Sequence, residues 1–125
     1  MEDMSLKTED SSNEYSSLFA EPLAELLRTH NGQDVTLLDI RGINDWADYF
    51  VIATVSSRTH MDGLERHIKE FCKERGIEIS GISPKSTDDE WRLIDLGSVI
   101  VHLMNSRARD FYELEKLWRN NAGNP

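Results

Sequence analysis

The sequence predicts a single α/β domain in which one mixed β-sheet of about five strands is flanked by helices. Three observations favour this class. The 125 residues suffice for one hydrophobic core but not for two. Short apolar segments bounded by turn residues are interspersed with amphipathic helical patterns. A strand, a helix and another strand follow one another in mid-chain, which implies a parallel crossover, and a later hairpin adds antiparallel pairing.

The first part of the chain predicts one helix and two strands. Apolar residues at helical spacing predict the helix over 22–31, with Pro22 in its first turn. Residues 35–40 are short, apolar and bounded by turn residues, so they predict a strand. Residues 49–55 are apolar on both faces, as is typical of a central strand that is buried on both sides.

A second helix follows this central strand. The serines at 56–57 can cap its start, and Gly76 ends it. The alternating residues 77–82 predict a third strand, and residues 83–90 predict a polar loop.

A hairpin is the clearest local signal. Residues 91–96 and 99–104 flank a tight turn at Gly97, where glycine permits a positive φ. Asn105 or Ser106 then caps a last helix. The apolar stripe of that helix comprises Phe111, Leu114, Leu117 and Trp118.

The predicted elements all fall within one domain at residues 14–119. Residues 1–13 are polar, acidic and without periodicity, which is typical of a disordered lead-in. Residues 120–125 are expected to form a frayed tail. No internal repeat and no second domain is predicted.

The chain is acidic, because 23 Asp and Glu against 14 Lys and Arg give a net charge of -9. Phosphate repels such a chain, so we expect little contact with RNA and none with a membrane. One cysteine, Cys72, excludes an internal disulfide framework. No apolar run reaches the roughly 18 residues of a membrane span, and the acidic start is no secretory signal. The cytoplasm is the expected location.

The sequence contains no pattern that predicts a catalytic, metal or cofactor site. The glycines fit neither a GxGxxG nor a Walker A spacing, and no HExxH occurs. The four histidines lie on different predicted elements, so a zinc site is not expected. Asp45 and Asp48 flank Trp46 before the central strand, where turn and capping roles account for them.

Three residues of the hairpin have two open interpretations. Trp91 opens a strand after an acidic loop, Asp95 interrupts an apolar strand beside the turn, and His102 lies within an apolar strand. Each residue suits a structural role: edge packing, bonding of turn amides, or a satisfied core histidine. A sheet edge with Trp and alternating apolar residues is equally typical of a surface that docks another protein.

The chain resembles the ribosomal silencing factor (Iojap-like) family over about 15–119. The most specific block reads Trp, Leu-x-Asp-x-Gly, Val-x-Val-His and Phe-Tyr-x-Leu-Glu-x-Leu-Trp, in that order. The matching segments are 34–40, 46–54, 56–60, 91–102 and 109–118.

This resemblance implies a translational repressor that is not an enzyme and needs no cofactor. Family members bind the large ribosomal subunit through ribosomal protein fourteen, block joining of the small subunit and lower translation when nutrients are short. Their fold is similar to that of nucleotidyltransferases but lacks the active site, and some members form homodimers. The alternatives are a nucleotidyltransferase-like enzyme using Asp39, Asp48 and Asp95, or a self-associating scaffold with a non-ribosomal partner.

The resemblance and the hairpin pattern together give a predicted partner-binding set. Five hairpin residues are expected to form or support the docking surface, and three residues of the last helix either fix that helix or join the surface. The set comprises Trp91, Leu93, Asp95, Leu96, His102, Tyr112, Glu113 and Trp118.

Overall fold

The computed structural model describes residues 18–43, 45–84 and 90–112, and confirms the mixed α/β fold. The described parts hold three helices and one five-stranded sheet. In chain order the elements are α1 (18–29), β1 (Gln33–Asp39), β2 (Tyr49–Val55), α2 (Arg58–Arg75), β3 (Gly81–Pro84), β4 (Trp91–Asp95), β5 (Val99–Asn105) and α3 (Ser106–Tyr112).

The strands are ordered β1-β2-β5-β4-β3, so β2 and β5 lie at the centre. These two pair in parallel along all seven residues, from Tyr49 opposite Val99 to Val55 opposite Asn105. The other three pairings are antiparallel. Strand β3 therefore runs in the same direction as β2, which confirms the predicted crossover, although β5 and β4 lie between the two strands.

One face of the sheet is covered by α1 and α2, and we call it the two-helix face. Alternate residues of β2 and β5 point into it and pack against the apolar stripes of both helices. Burial of these apolar side chains is a major driving force for folding. The largest fully buried ones include Leu23, Leu27, Val51, Met61, Leu64, Ile68, Ile94, Val99 and Leu103.

The opposite face carries a core with fewer members among the described residues, and we call it the aromatic face. Its buried members come from β2, β5, the β1–β2 loop and α3: Ile40, Ala47, Phe50, Ile52, Ile100, Met104 and Ala108. Half-buried apolar side chains border this core: Leu38, Ile43, Trp91 and Leu93. Because β2 and β5 are buried on both faces, the prediction of a central strand over 49–55 is confirmed.

The ends of α2 are capped as expected, but the strand predicted over 77–82 is wrong for its first four residues. The Ser57 side chain accepts a hydrogen bond from the His60 amide, and Gly76 adopts the left-handed conformation. The Ile77 amide then donates to the Cys72 carbonyl at 2.9 Å. Ile77 is buried because it closes the helix end against the core, and the strand begins only at Gly81.

The other boundaries shift by a few residues. The structure has helix from residue 18, so Pro22 lies beyond the first turn and not within it. Strand β1 starts two residues before the predicted segment and ends at Asp39, while Ile40 is buried in the core of the aromatic face. The predicted loop over 83–90 is shortened because its first two residues belong to β3.

The hairpin and the start of the last helix are confirmed. Strands β4 and β5 pair antiparallel, and Gly97 has a φ of 90° in the turn between them. The Asn105 side chain accepts a hydrogen bond from the Ala108 amide at 2.8 Å, which makes Asn105 the cap of α3. The structure does not describe the side chains of the predicted apolar stripe of this helix. The lead-in at 1–13 and the tail at 120–125 also lie outside the described residues.

A buried arginine joins β4 to α2 on the two-helix face. The side chain of Arg92 donates hydrogen bonds to Asp62 at 2.8 Å and to Glu65 at 2.7 Å. Only 9% of Arg92 is exposed, so these carboxylates compensate a charge that would be costly to bury alone.

No helix among the described residues is long and apolar enough to cross a membrane.

The Asp62 contact predicts an acid-sensitive contribution to stability. Hydrogen bonding and charge attraction from Arg92 lower the pKa of Asp62 from its ordinary value of 3.8. A carboxyl with a lowered folded-state pKa stabilises the fold above its unfolded pKa and loses that effect as the pH falls through the folded value. We therefore expect Asp62→Asn to be less stable than the parent at pH 7, with the difference shrinking below pH 4.

Urea denaturation at several pH values measures this difference. The matched control is Glu74→Gln, an exposed carboxyl on the same helix. A deficit of Asp62→Asn that stays constant from pH 7 to pH 3 would contradict the assignment.

Candidate partner-binding surface

The sheet register places the predicted hairpin residues in ordered rows on the aromatic face. The row nearest the hairpin turn holds Leu38, Phe50, Ile100 and Asp95, one from each of β1, β2, β5 and β4. The next row holds Thr36, Ile52, His102 and Leu93. The two rows are two residues apart along each strand. Because side chains alternate between the faces of a sheet, both rows lie on the same face.

Four rings form a continuous chain across this face. Trp46 lies against Phe50 with ring centroids 6.0 Å apart, and Phe50 meets His102 edge-on at 4.5 Å. The rings of Trp91 and His102 are 5.8 Å apart, and the Trp91 indole donates a hydrogen bond to His102 Nδ1 at 3.0 Å. We call these residues the aromatic chain. Edge-to-face and tilted contacts of this kind favour a fixed geometry.

His102 supports this surface from within. Only 4% of the residue is exposed, so a docked protein would meet the neighbouring side chains and not His102 itself. Since Nδ1 accepts the bond from Trp91, the proton of the neutral ring is on Nε2. The histidine thereby holds the Trp91 ring in one orientation.

The other predicted hairpin residues divide between exposed and supporting positions. Leu93 is half-buried in the row of His102 and borders the core of the aromatic face. Asp95 is also half-buried, and its Oδ1 accepts a hydrogen bond from the Gly97 amide at 2.8 Å. Leu96 is 6% exposed and belongs to the core of the two-helix face, so it can only support the surface.

The three predicted residues of the last helix are not tested by the geometry. The backbone of Tyr112 is the last described position of α3, and its side chain lies outside the described part of the chain. Glu113 and Trp118 also lie outside it. Their assignment to the partner-binding surface stays a prediction.

Two residues of the aromatic face were missed from the sequence. Trp46 is 61% exposed, and its signal was an aromatic residue in a polar loop between two acids. Arg109 is buried and donates hydrogen bonds to the hydroxyls of Thr54 at 2.9 Å and Thr36 at 2.8 Å. These bonds connect α3 to β2 and β1 and hold the helix over the sheet.

The three carboxylates considered for an enzyme do not all lie together. Asp39 and Asp95 come from strands separated by β2 and β5, and the alternation of side chains puts them on opposite faces. Asp39 also forms an ion pair with Arg41, which lowers the pKa of that carboxyl mainly through the hydrogen bond between the two side chains. Among the described residues, no cluster of three or more His, Cys, Asp or Glu side chains could hold a metal ion.

Three histidines lie together between α1 and α2, an arrangement that the sequence did not predict. His60 and His67 share α2, so the placement of all four histidines on different elements is wrong. The His30 and His67 rings stack with centroids 3.5 Å apart, and His60 Nε2 lies 3.2 Å from the His30 carbonyl. These residues line a cleft of about 250 Å³ between α1 and α2. They join the two helices and lie apart from the aromatic face.

The turn contact of Asp95 predicts different effects for two substitutions. Asp95→Ala removes the acceptor for the Gly97 amide, so we expect the free energy of unfolding to fall by about 1 kcal/mol. Asp95→Asn keeps an oxygen acceptor and removes only the charge, so we expect a change below about 0.5 kcal/mol. Urea denaturation measures both. Equal losses in the two variants would show that the charge, and not the turn bond, stabilises the hairpin.

Comparison with known proteins identifies relatives by sequence and by structure. A chain from Haemophilus influenzae called ribosomal silencing factor RsfS is 38% identical over 96 residues, which cover 77% of this chain and 93% of the relative. The mouse protein called mitochondrial assembly of ribosomal large subunit protein 1 is 34% identical over 99 residues, or 77% of this chain and 43% of that protein. A solved structure of a Chromobacterium violaceum protein superimposes with a TM-score of 0.73 at 31% identity, covering 81% of this chain and 84% of the other.

The family comparison covers nearly the whole chain. The sequence model described as "Ribosomal silencing factor during starvation" matches residues 12–125. This range includes the loop of Trp46, strand β2 and both strands of the hairpin, which together contribute the aromatic chain. The chain therefore belongs to the ribosomal silencing factor family.

Proposed function

We propose that this protein represses translation by binding the large ribosomal subunit through ribosomal protein fourteen and blocking the joining of the small subunit. The family match over residues 12–125 is the observation that carries this proposal. The mouse relative's name refers to the large subunit, and the family description refers to starvation, which supports action when nutrients are limiting.

The aromatic face is the docking surface in this proposal. Trp91 and Leu93 are half-buried on β4, so each presents part of an apolar side chain while the rest is held by the sheet. A tryptophan in a fixed orientation is typical of the few central residues that carry most of the binding energy at an interface. The bond from Trp91 to His102 supplies that fixed orientation.

Charge supports a protein partner in preference to RNA. The net charge of -9 disfavours contact with phosphate, whereas a basic ribosomal protein attracts an acidic chain. Asp48 and Asp95 lie at the turn end of the aromatic face, and the exposed Asp45 is in the same loop as Asp48. This arrangement would speed association with a basic surface and would weaken as salt screens the charges.

The mechanism is steric. A folded chain of 14.4 kDa bound at the subunit-joining side of the large subunit occupies space that the small subunit needs. No reaction is required, and repression lasts as long as the chain stays bound. Its strength depends on the fraction of large subunits that are occupied.

A subunit-joining assay tests this function. Purified large and small subunits are mixed with increasing amounts of the protein, and the joined ribosomes are separated by sedimentation. We expect the joined fraction to fall as the large subunits become occupied, with the protein recovered in the large-subunit peak. Undiminished joining at saturating protein would contradict the proposal.

Substitution of Trp91 tests the docking surface. We expect Trp91→Ala to raise the dissociation constant for large subunits by at least about 30-fold, the loss typical of a central aromatic anchor. The matched control is Ile79→Ala, since Ile79 is a half-buried apolar residue on the two-helix face. Thermal unfolding of both variants shows that they fold. Equal binding by the two variants would show that Trp91 has a purely structural role.

A further inference from the structure

Trp46 is one of two large hydrophobic side chains that the structure leaves exposed among its described residues. Its exposed fraction is 61%, and that of the other, Leu18, is 70%. The two differ in position. Trp46 touches Phe50 on the aromatic face, whereas Leu18 belongs to α1, which packs on the two-helix face. Single exposed apolar residues are common, so exposure alone does not mark a binding residue.

The loop that holds Trp46 is fixed at both ends. The Ile40 amide donates to the Asp48 carbonyl at 2.9 Å, and the Asp48 amide donates to the Ser98 carbonyl at 2.7 Å. Within the loop, Ile40 and Ala47 are buried in the core of the aromatic face. The exposed Trp46 ring therefore lies two residues from Asp48, a backbone position that is hydrogen-bonded both to Ile40 and to the hairpin turn.

The charges beside Trp46 indicate the chemistry of its ligand. Asp45 is exposed directly before the ring, and Asp48 is half-buried two residues after it. An indole face attracts cations, and a neighbouring carboxylate strengthens that preference by direct charge attraction. Arginine suits both groups, because its planar guanidinium stacks on a ring and donates hydrogen bonds to a carboxylate.

Trp46 is also continuous with the proposed docking surface. Its ring contacts Phe50, which contacts His102, which holds Trp91. A partner that covers Trp91 and Leu93 would extend over the sheet row of Phe50 towards Trp46. The site would then lie at the rim of the interface, where a cationic side chain can enter from solvent.

We propose that Trp46 and Asp45 form a receptor for an arginine or lysine side chain of the ribosomal protein that docks on the aromatic face. This inference rests on the proposed function and adds to it a second anchor, contributed by the β1–β2 loop. It assigns the partner a basic residue at the periphery of the contact. The acidic surroundings of Trp46 disfavour a second copy of this chain as the occupant, because the chain is itself acidic.

The test is a binding titration with purified large ribosomal subunits at low salt. We expect Trp46→Ser to raise the dissociation constant about 10-fold, which is within the range of a rim cation–π contact supported by a carboxylate. Trp46→Leu, which keeps an apolar side chain but removes the ring, is expected to lose nearly as much affinity. Trp46→Phe is expected to fall between these variants and the parent. The matched control is Leu18→Ser, which removes a similarly exposed apolar side chain from α1 and should bind like the parent.

The salt dependence of the dissociation constant separates the contribution of Asp45 from that of Trp46. Asp45→Asn is expected to weaken binding a few-fold at low salt and to match the parent at high salt, because screening removes the attraction of exposed charges. An unchanged affinity at low salt would remove Asp45 from the receptor. An affinity of Trp46→Leu equal to that of the parent would show an apolar contact and overturn the cation assignment.

The failure of this inference is distinguishable from failure of the proposed function. If the parent protein does not bind large subunits, the proposed function fails. If the parent binds, Trp91→Ala binds weakly and Trp46→Ser binds like the parent, only the receptor at Trp46 is overturned. Light scattering adds a third outcome: a dimer that Trp46→Ser dissociates, with unchanged subunit binding, would assign Trp46 to contacts between copies of this chain.

Discussion

The parallel pairing of β2 with β5 is the constraint on which the rest of the structure depends. Both strands are buried along nearly their whole length, so both faces of the sheet must be covered. Two helices cover one face with a large apolar core. The other face receives α3, the loop before β2 and a chain of four rings. On this face Trp91 and Leu93 are only half-buried and Trp46 is exposed, which suits the proposed contact with a partner.

The same pairing brings together residues that are far apart in sequence. Because Phe50 lies opposite Ile100, and Ile100 opposite Asp95, the loop of Trp46 and the hairpin turn lie at one end of the sheet. The Ser98 carbonyl strengthens this junction by accepting bonds from the amides of Asp48 and Tyr49. The surface that results has apolar rings at its centre and acids at one end. This arrangement suits the proposed recognition of a basic protein surface. One of the acids, Asp95, also accepts a hydrogen bond from the turn amide of Gly97.

The sequence predicted those features that depend on local chemistry. The doubly buried strand β2, the turn at Gly97 and the cap at Asn105 follow from patterns within a few neighbouring residues. Ile77 was assigned to a strand because an apolar residue after a helix can either start a strand or close the helix end, and periodicity does not separate the two. The burial of Arg92 against Asp62 and Glu65, and of Arg109 against Thr36 and Thr54, depends on tertiary contacts that no local pattern encodes. Trp46 was missed for the same reason, since its place beside Phe50 follows from the fold of the loop.

The central claim is that the aromatic face, and not the two-helix face, receives the ribosomal protein. The most direct measurement is a nuclear magnetic resonance titration of the labelled chain with purified ribosomal protein fourteen. The indole N–H signals of Trp46 and Trp91 report on the aromatic face, and the backbone amides along α2 report on the other side of the sheet. The account predicts saturable shifts of both indole signals, together with the amides of β4, while the exposed side of α2 stays unchanged. Shifts confined to α1 and α2, with both indole signals unmoved at saturation, would contradict it.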